Sequence, residues 1–240
     1  MDKRRRGLLK ITIIHGQSHK GSTYHIAHSL AEKLGGDIRE FFLPRDFGEF
    51  CMGCNSCFRV AENACPHYEK LLPITEAIDD ADVLILESPV YVLHATGAMK
   101  ALLDHYGWRW LIHRPEERMF SKQAVCISTA AGAGMKRTNQ DMADSMLWWG
   151  VAKTYRYGIA VSATSWDGVN EKKKKKIDQR LNTLAAAIIR HQGKVKPGWK
   201  TRLYFYVSRM MQKNNMNPLD AAYWNAKGWT KKNRPWKKNP

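Results

Sequence analysis

"LLKITIIHGQSHKGSTYHIAHSLAEKLGG", residues 8–36, sets a β-rich run against a helical one across a turn of small and hydroxyl residues. Residues 8–16 are apolar and β-branched and stop at Gly16. Residues 22–36 open on Ser22 and Thr23, carry apolar side chains at helical spacing, and end on Gly35 and Gly36, which predicts strand, loop and helix. The same alternation continues downstream. Residues 37–43 read as a second strand, and 73–81 as a helix with Pro73 in its first turn. The short apolar run in 82–91 is of the kind buried in a parallel sheet. Residues 97–110 read as a helix, 123–129 as a fourth strand, 135–150 as a helix, 152–161 as a fifth strand and 170–193 as a long last helix. Five strands separated by helices predict an α/β doubly wound five-stranded parallel sheet, with ligands at the carboxyl ends of the strands.

The chain has 240 residues, 44% of them hydrophobic, which suits one α/β core. The expected division is a domain over 1–192 and a basic, aromatic-rich helical extension over 193–240. No run approaches eighteen uninterrupted apolar residues, and the start, "MDKRRRGLLK", lacks the features of a cleaved leader. The expected location is cytoplasmic, where clustered thiols stay reduced. The formal charge of +17 is uneven: residues 193–240 hold 12 Lys and Arg against the single acid Asp220, and Lys3–Arg6 adds four more cations. Trp199, Trp224, Trp229 and Trp236 interleave with the tail's charges. That pattern allows RNA, anionic lipid or a subunit as partner, but its aromatic content favours a tail packed on its own protein, with neither nucleic acid nor membrane as partner. The run 171–176, EKKKKK, reads as the solvated face of a helix.

Three loops follow strand ends. In 15–23, Gly16, Ser18, Gly21, Ser22 and Thr23 can aim N–H groups and hydroxyls at a phosphate beside a helix N-terminus. The loop matches neither nucleotide fingerprint, G-x-x-x-x-G-K-[ST] or G-x-G-x-x-G. Residues 88–100 offer Pro89 and Tyr91, and 128–134, STAAGAG, allow close backbone approach to something flat.

"GQSHKGST", "SPVYVLHATGAMKALLDH" and "STAAGAG", in that order, resemble the flavodoxin-like NAD(P)H-dependent FMN reductases and their relatives, the iron–sulfur flavoproteins. The resemblance spans about 8–190 and implies strand order 2-1-3-4-5, bound FMN and NAD(P)H as reductant. It places Ser18, Lys20, Gly21, Ser22 and Thr23 on the phosphate. Pro89, Val90 and Tyr91 would border the isoalloxazine, and Thr129, Ala130, Gly132 and Gly134 would follow its polar edge. The first loop departs from the common family form, with Gln17-Ser18-His19 where Ser-Pro-Arg is frequent. The flavin would carry the redox chemistry, so no catalytic side chain is assigned. For His94, His113, Trp108 and Trp110 local bonding or packing is the favoured reading.

The remaining motif is "CMGCNSCFRVAENACP", Cys51 to Pro66, spaced C-x2-C-x2-C-x7-C. Two-residue gaps let three thiolates converge on a cluster, whereas a ferredoxin run has three residues before its last cysteine. The resemblance adds that iron–sulfur flavoproteins carry their cysteine motif in this loop. Cys51, Cys54, Cys57 and Cys65 are therefore candidate ligands of a [4Fe-4S] cluster. The expectation for aerobically purified protein is accessible thiols rimming the flavin pocket, with Cys126 buried and inert.

The function so implied is an FMN-dependent oxidoreductase that passes electrons to a flavin, quinone or other small-molecule acceptor, as a homodimer or homotetramer. One alternative is an iron–sulfur electron carrier, and another is a flavin-free RNA- or membrane-binding module. In 200–214 Leu203, Tyr206, Val207, Met210 and Met211 form a stripe at helical spacing, predicting an oligomer-forming arm.

Overall fold

The computed structural model describes residues 8–237, so the Lys3–Arg6 cations lie outside the described residues. Strands β1 (Leu9–His15), β2 (Gly36–Phe42), β3 (Val83–Pro89), β4 (Gln123–Ala130) and β5 (Lys153–Ala160) form one sheet in the order β2-β1-β3-β4-β5. Every pairing is parallel. The central strands are buried along nearly their whole length, whereas β2 at one edge alternates and exposes Asp37 and Arg39. Charges there discourage edge-to-edge pairing.

Alternate side chains of each strand serve opposite layers. On one face Leu84, Leu86 and Cys126 pack against α3 (Tyr68–Asp80), α4 (Gly97–Asp104) and α5 (Met135–Trp148) through Ile74, Ile78, Leu102 and Met146. On the other, Ile11, Ile13, Ile85 and Val125 meet α1 (Ser22–Leu34) and α6 (Glu171–His191) through Ile26, Leu30, Leu181 and Ile188. Each such side chain contributes about 1.5–3 kcal/mol by leaving water.

Two helix boundaries differ from the sequence expectation. α3 begins at Tyr68, so Pro73 sits in its interior. Its first residues are held by the cysteine loop ahead of it, where Tyr68 N donates to Cys65 O and Leu71 N to His67 O, a tertiary anchor that local propensity does not register. α4 stops at Asp104 and a 3-10 turn over Gly107–Arg109 follows, because Arg109, buried at 1% exposure, turns inward to pair with Asp79 at 2.6 Å. The cysteine loop itself holds a single helical turn, α2 (Ser56–Arg59), and a 3-10 turn over Glu62–Ala64.

The tail folds back as α7 (Trp199–Lys213) and α8 (Pro218–Ala226). Phe205, Trp224 and Trp229 close a third apolar cluster over Leu111 and Phe120. Its single acid, Asp220, is fully buried and paired with Arg114 and, at 2.7 Å, with His113. Of the predicted stripe, Met211 is half-buried, and Leu203, Tyr206, Val207 and Met210 stay exposed.

Candidate functional site

The carboxyl ends of β1, β3 and β4 deliver the three loops to one rim, and hydrogen bonds tie the loops together. Thr23 Oγ1 lies 2.6 Å from Thr129 Oγ1, joining the start of α1 to the end of β4. Val90 N donates to Thr129 O at 2.8 Å, joining β3's loop to the same residue. Thr96 Oγ1 donates to Gly16 O at 2.6 Å while accepting from Met99 N, so one hydroxyl caps α4 and clamps the first loop.

Gly21 is the N-cap of α1 and offers no side-chain cap, and the helix has no acid in its first turn. The N–H groups of its first turn are thus free to meet an anion. Ser22 and Thr23 are buried at that turn, Lys20 is exposed with its ammonium 5.0 Å above the Tyr24 ring, and Ser18 Oγ donates to Leu43 O. Pro89 and Val90 are half-buried, and Ala130 lies beside exposed Gly132. Gly134 has φ +100°, and a Cβ there would come 2.4 Å from Val90 Cγ1, so only glycine lets the third loop lie against the second.

Between Tyr91 and His94, which exchange backbone hydrogen bonds at 3.0 Å, the chain reverses through Val92 (φ 49°) and Leu93 (φ 67°). Left-handed backbone at two bulky residues stores strain, of a kind that clusters at ligand clamps. Val92 is 95% exposed and Tyr91 and Leu93 are about half exposed. Apolar groups so displayed beside an uncapped helix suit a flat, partly apolar ligand with a phosphate at one end, and FMN has that form.

A buried chain beneath the first loop escaped the sequence reading. His15 places Nδ1 2.9 Å from Glu87 Oε1 and Nε2 3.0 Å from Glu40 Oε1, with Phe42 stacked on its ring at 4.3 Å. Glu87 is wholly buried, and burial pushes its carboxyl above the ordinary glutamate value, against the opposing bond from His15. The available signal was a lone acid in the apolar run 83–88 opposite a strand-ending histidine, which register pairs directly. His94 meets Asp141 at 3.0 Å, His113 is taken by Asp220, and Trp110 stacks on Trp148. Trp108 packs on the core under Arg109.

Cys51, Cys54, Cys57 and Cys65 line one small cavity together with His67 and His105. Cys51 and Cys54 are exposed, and Cys57 and Cys65 half-buried. A hydrogen bond from Ser56 lowers the Cys54 thiol, whereas burial, aided by the neighbouring thiols, raises that of Cys57. Cys65 Sγ and one nitrogen each of His67 and His105 lie within 4.8 Å of one another. Four thiols lining one cavity are the type of donor a [4Fe-4S] cluster takes. Cys126 is buried, with its thiol pushed up to about 12.

Strand order, crossovers and the three converging loops define a flavodoxin-like α/β protein. A family profile described as NADPH-dependent FMN reductase matches residues 9–165. The chain belongs to that family. It is similar to an iron–sulfur flavoprotein of Archaeoglobus fulgidus, 28% identical over 106 residues that make up 43% of this chain and 44% of the relative. It is also similar to one of Methanocaldococcus jannaschii, 35% identical over 87 residues, 35% of this chain and 43% of that protein. The chain thus matches less than half the length of either relative. A solved structure described as a flavone reductase superposes with a TM-score of 0.56 at 17% identity, covering 77% of this chain and 65% of its own, a likeness of fold.

Proposed function

We propose that the protein is an FMN-dependent oxidoreductase that takes a hydride from NAD(P)H and passes electrons to a small-molecule acceptor such as a flavin or quinone. The observation that carries this reading is the joining of three strand-end loops through Thr23, Thr129 and Val90. FMN, when bound, accepts the hydride and releases the electrons. The chain's own residues bind and orient it. Ser22 and Thr23 offer backbone N–H groups to the phosphate beside Gly21, whose own N–H donates to His19 O at 3.0 Å, with Ser18 and Lys20 at its outer side. Because the Thr23 hydroxyl already meets Thr129, Ser22 is the better hydroxyl donor. Pro89, Val90 and Tyr91 border the ring, and Thr129, Ala130, Gly132 and Gly134 run beside its polar edge. The test is titration of the purified chain with FMN and FAD. FMN should bind and quench its own fluorescence, and Ser22→Ala should weaken binding by about 1.5–3 kcal/mol, one hydrogen bond to a charged group. Preference for FAD would overturn the assignment.

A second reading adds a cluster to the same flavoprotein. The shared cavity of Cys51, Cys54, Cys57 and Cys65 favours it, and they would hold a [4Fe-4S] cluster that passes single electrons. Iron and sulfide analysis of anaerobically prepared protein decides between the two, with four irons per chain supporting the cluster.

A further inference from the structure

α7 carries two opposed faces. Thr201, Phe205, Ser208 and Gln212 are buried against the protein. On the opposite side, at spacings of three or four residues, stand Trp199 (71% exposed), Leu203 (50%), Val207 (47%) and Met210 (67%), with Tyr206 beside them. An α-helix advances 100° per residue, so these five side chains form one stripe along about three turns, and Lys200 falls on one border of it while Arg202 and Lys213 fall on the other. The buried side holds Phe205 as its one large apolar residue among Thr201, Ser208 and Gln212, so most of the helix's apolar surface faces outward.

We infer that this outer face of α7 seats the protein on an anionic lipid surface. Charge complementarity selects that occupant. The segment from 193 onward has Asp220 as its only acid, and Asp220 is buried and consumed by Arg114 and His113. The segment's own exposed charges beside the stripe are therefore all cationic, among them Lys194, Lys196, Lys200 and Lys213. Trp and Tyr within an apolar stripe and lysines along its borders are the composition of a helix lying in the interface plane. A second copy is a poorer occupant, because pairing α7 with itself would set Lys200, Arg202 and Lys213 against their own copies. The tail packs on its own protein through Trp224, Trp229 and half-buried Trp236, as its composition leads one to expect, and of its four tryptophans Trp199 alone stands outside. No helix among the described residues is long and apolar enough to cross a membrane, so the attachment is peripheral.

The experiment is cosedimentation of the full chain with vesicles of phosphatidylcholine alone and of phosphatidylcholine mixed with phosphatidylglycerol. Binding is expected to the mixed vesicles only, and to fall as salt is raised. Leu203→Glu with Val207→Glu, both on the solvent side, should abolish it with the circular dichroism unchanged. Lys200→Gln with Lys213→Gln, which keeps the stripe, should reduce it on the order of tenfold. Equal binding to both vesicle types, none to either at low salt, or full binding by the double glutamate variant overturns the inference. So does a fall in sedimenting mass in that variant without lipid, which would give the face to a second copy, or retention on RNA with no vesicle binding.

Discussion

Val92 and Leu93 hold left-handed backbone that neither side chain favours, and the hydrogen bonds between Tyr91 and His94 keep them there. Val92→Asn should raise stability by about 1 kcal/mol in urea denaturation, since asparagine tolerates that region, and should weaken FMN binding if the exposed valine covers the ring. Gly134→Ala combines a left-handed φ with a Cβ driven into Val90 and should cost about 1 kcal/mol or more by the same measurement. Glu87 supplies a pH test. Its folded carboxyl titrates above the ordinary 4.5 because it is buried. Below 4.5 the folded and unfolded chains both hold the proton, and above it only the folded chain does. The stability Glu87 contributes is therefore lost as pH rises through the raised value. Glu87→Gln should flatten that part of the stability–pH curve, and an unchanged slope would assign it to other carboxylates. Among the thiols, alkylation near neutral pH followed by mass spectrometry should find Cys54 labelled first and Cys126 untouched.

Elements in this protein are finished by side chains from elsewhere. The carboxyl end of α3 is held by Lys122, whose ammonium donates to Asp79 O at 2.7 Å and to Ala81 O, a cation placed where the helix dipole favours it. Burial lowers its folded pKa to about 8 from 10.5. Between those values the unfolded chain keeps the proton and the folded chain does not, so stability from this group rises with pH across the window. Lys122→Met should remove that rise in thermal melts recorded from neutral to alkaline pH. This dependence on distant partners explains which boundaries were legible. α1 and α6 carry their own start and stop residues, and the expected ranges are met within a few residues. α3 and α4 are set by the cysteine loop and by Arg109, and their expected ranges miss by five or six residues.

At the scale of the molecule, the C-terminal extension braces the cysteine loop. Asp220 pairs with Arg114, and Arg114 donates to Cys57 O, while Asn217 Nδ2 reaches Phe58 O at 3.4 Å. Asp220→Ala removes the buried partner of Arg114 and leaves it the more exposed Glu62 at 3.7 Å, so it should destabilise the protein by less than the roughly 3–5 kcal/mol of a fully orphaned buried charge, with faster alkylation of Cys57 than in the parent protein. An unaltered labelling rate would separate the loop from the tail. The five-stranded doubly wound sheet and the three strand-end loops can be read from the sequence, because hydrophobic period, caps and small residues are local properties written within each segment. The folded structure was needed to show that Thr23 bonds to Thr129, that His15 and Glu87 form a buried pair, and that Asp220 is spent inside while the outer face of α7 stays apolar and cationic. Those facts depend on residues as many as 107 positions apart, and no local pattern carries the register, burial and rotation that bring such residues together.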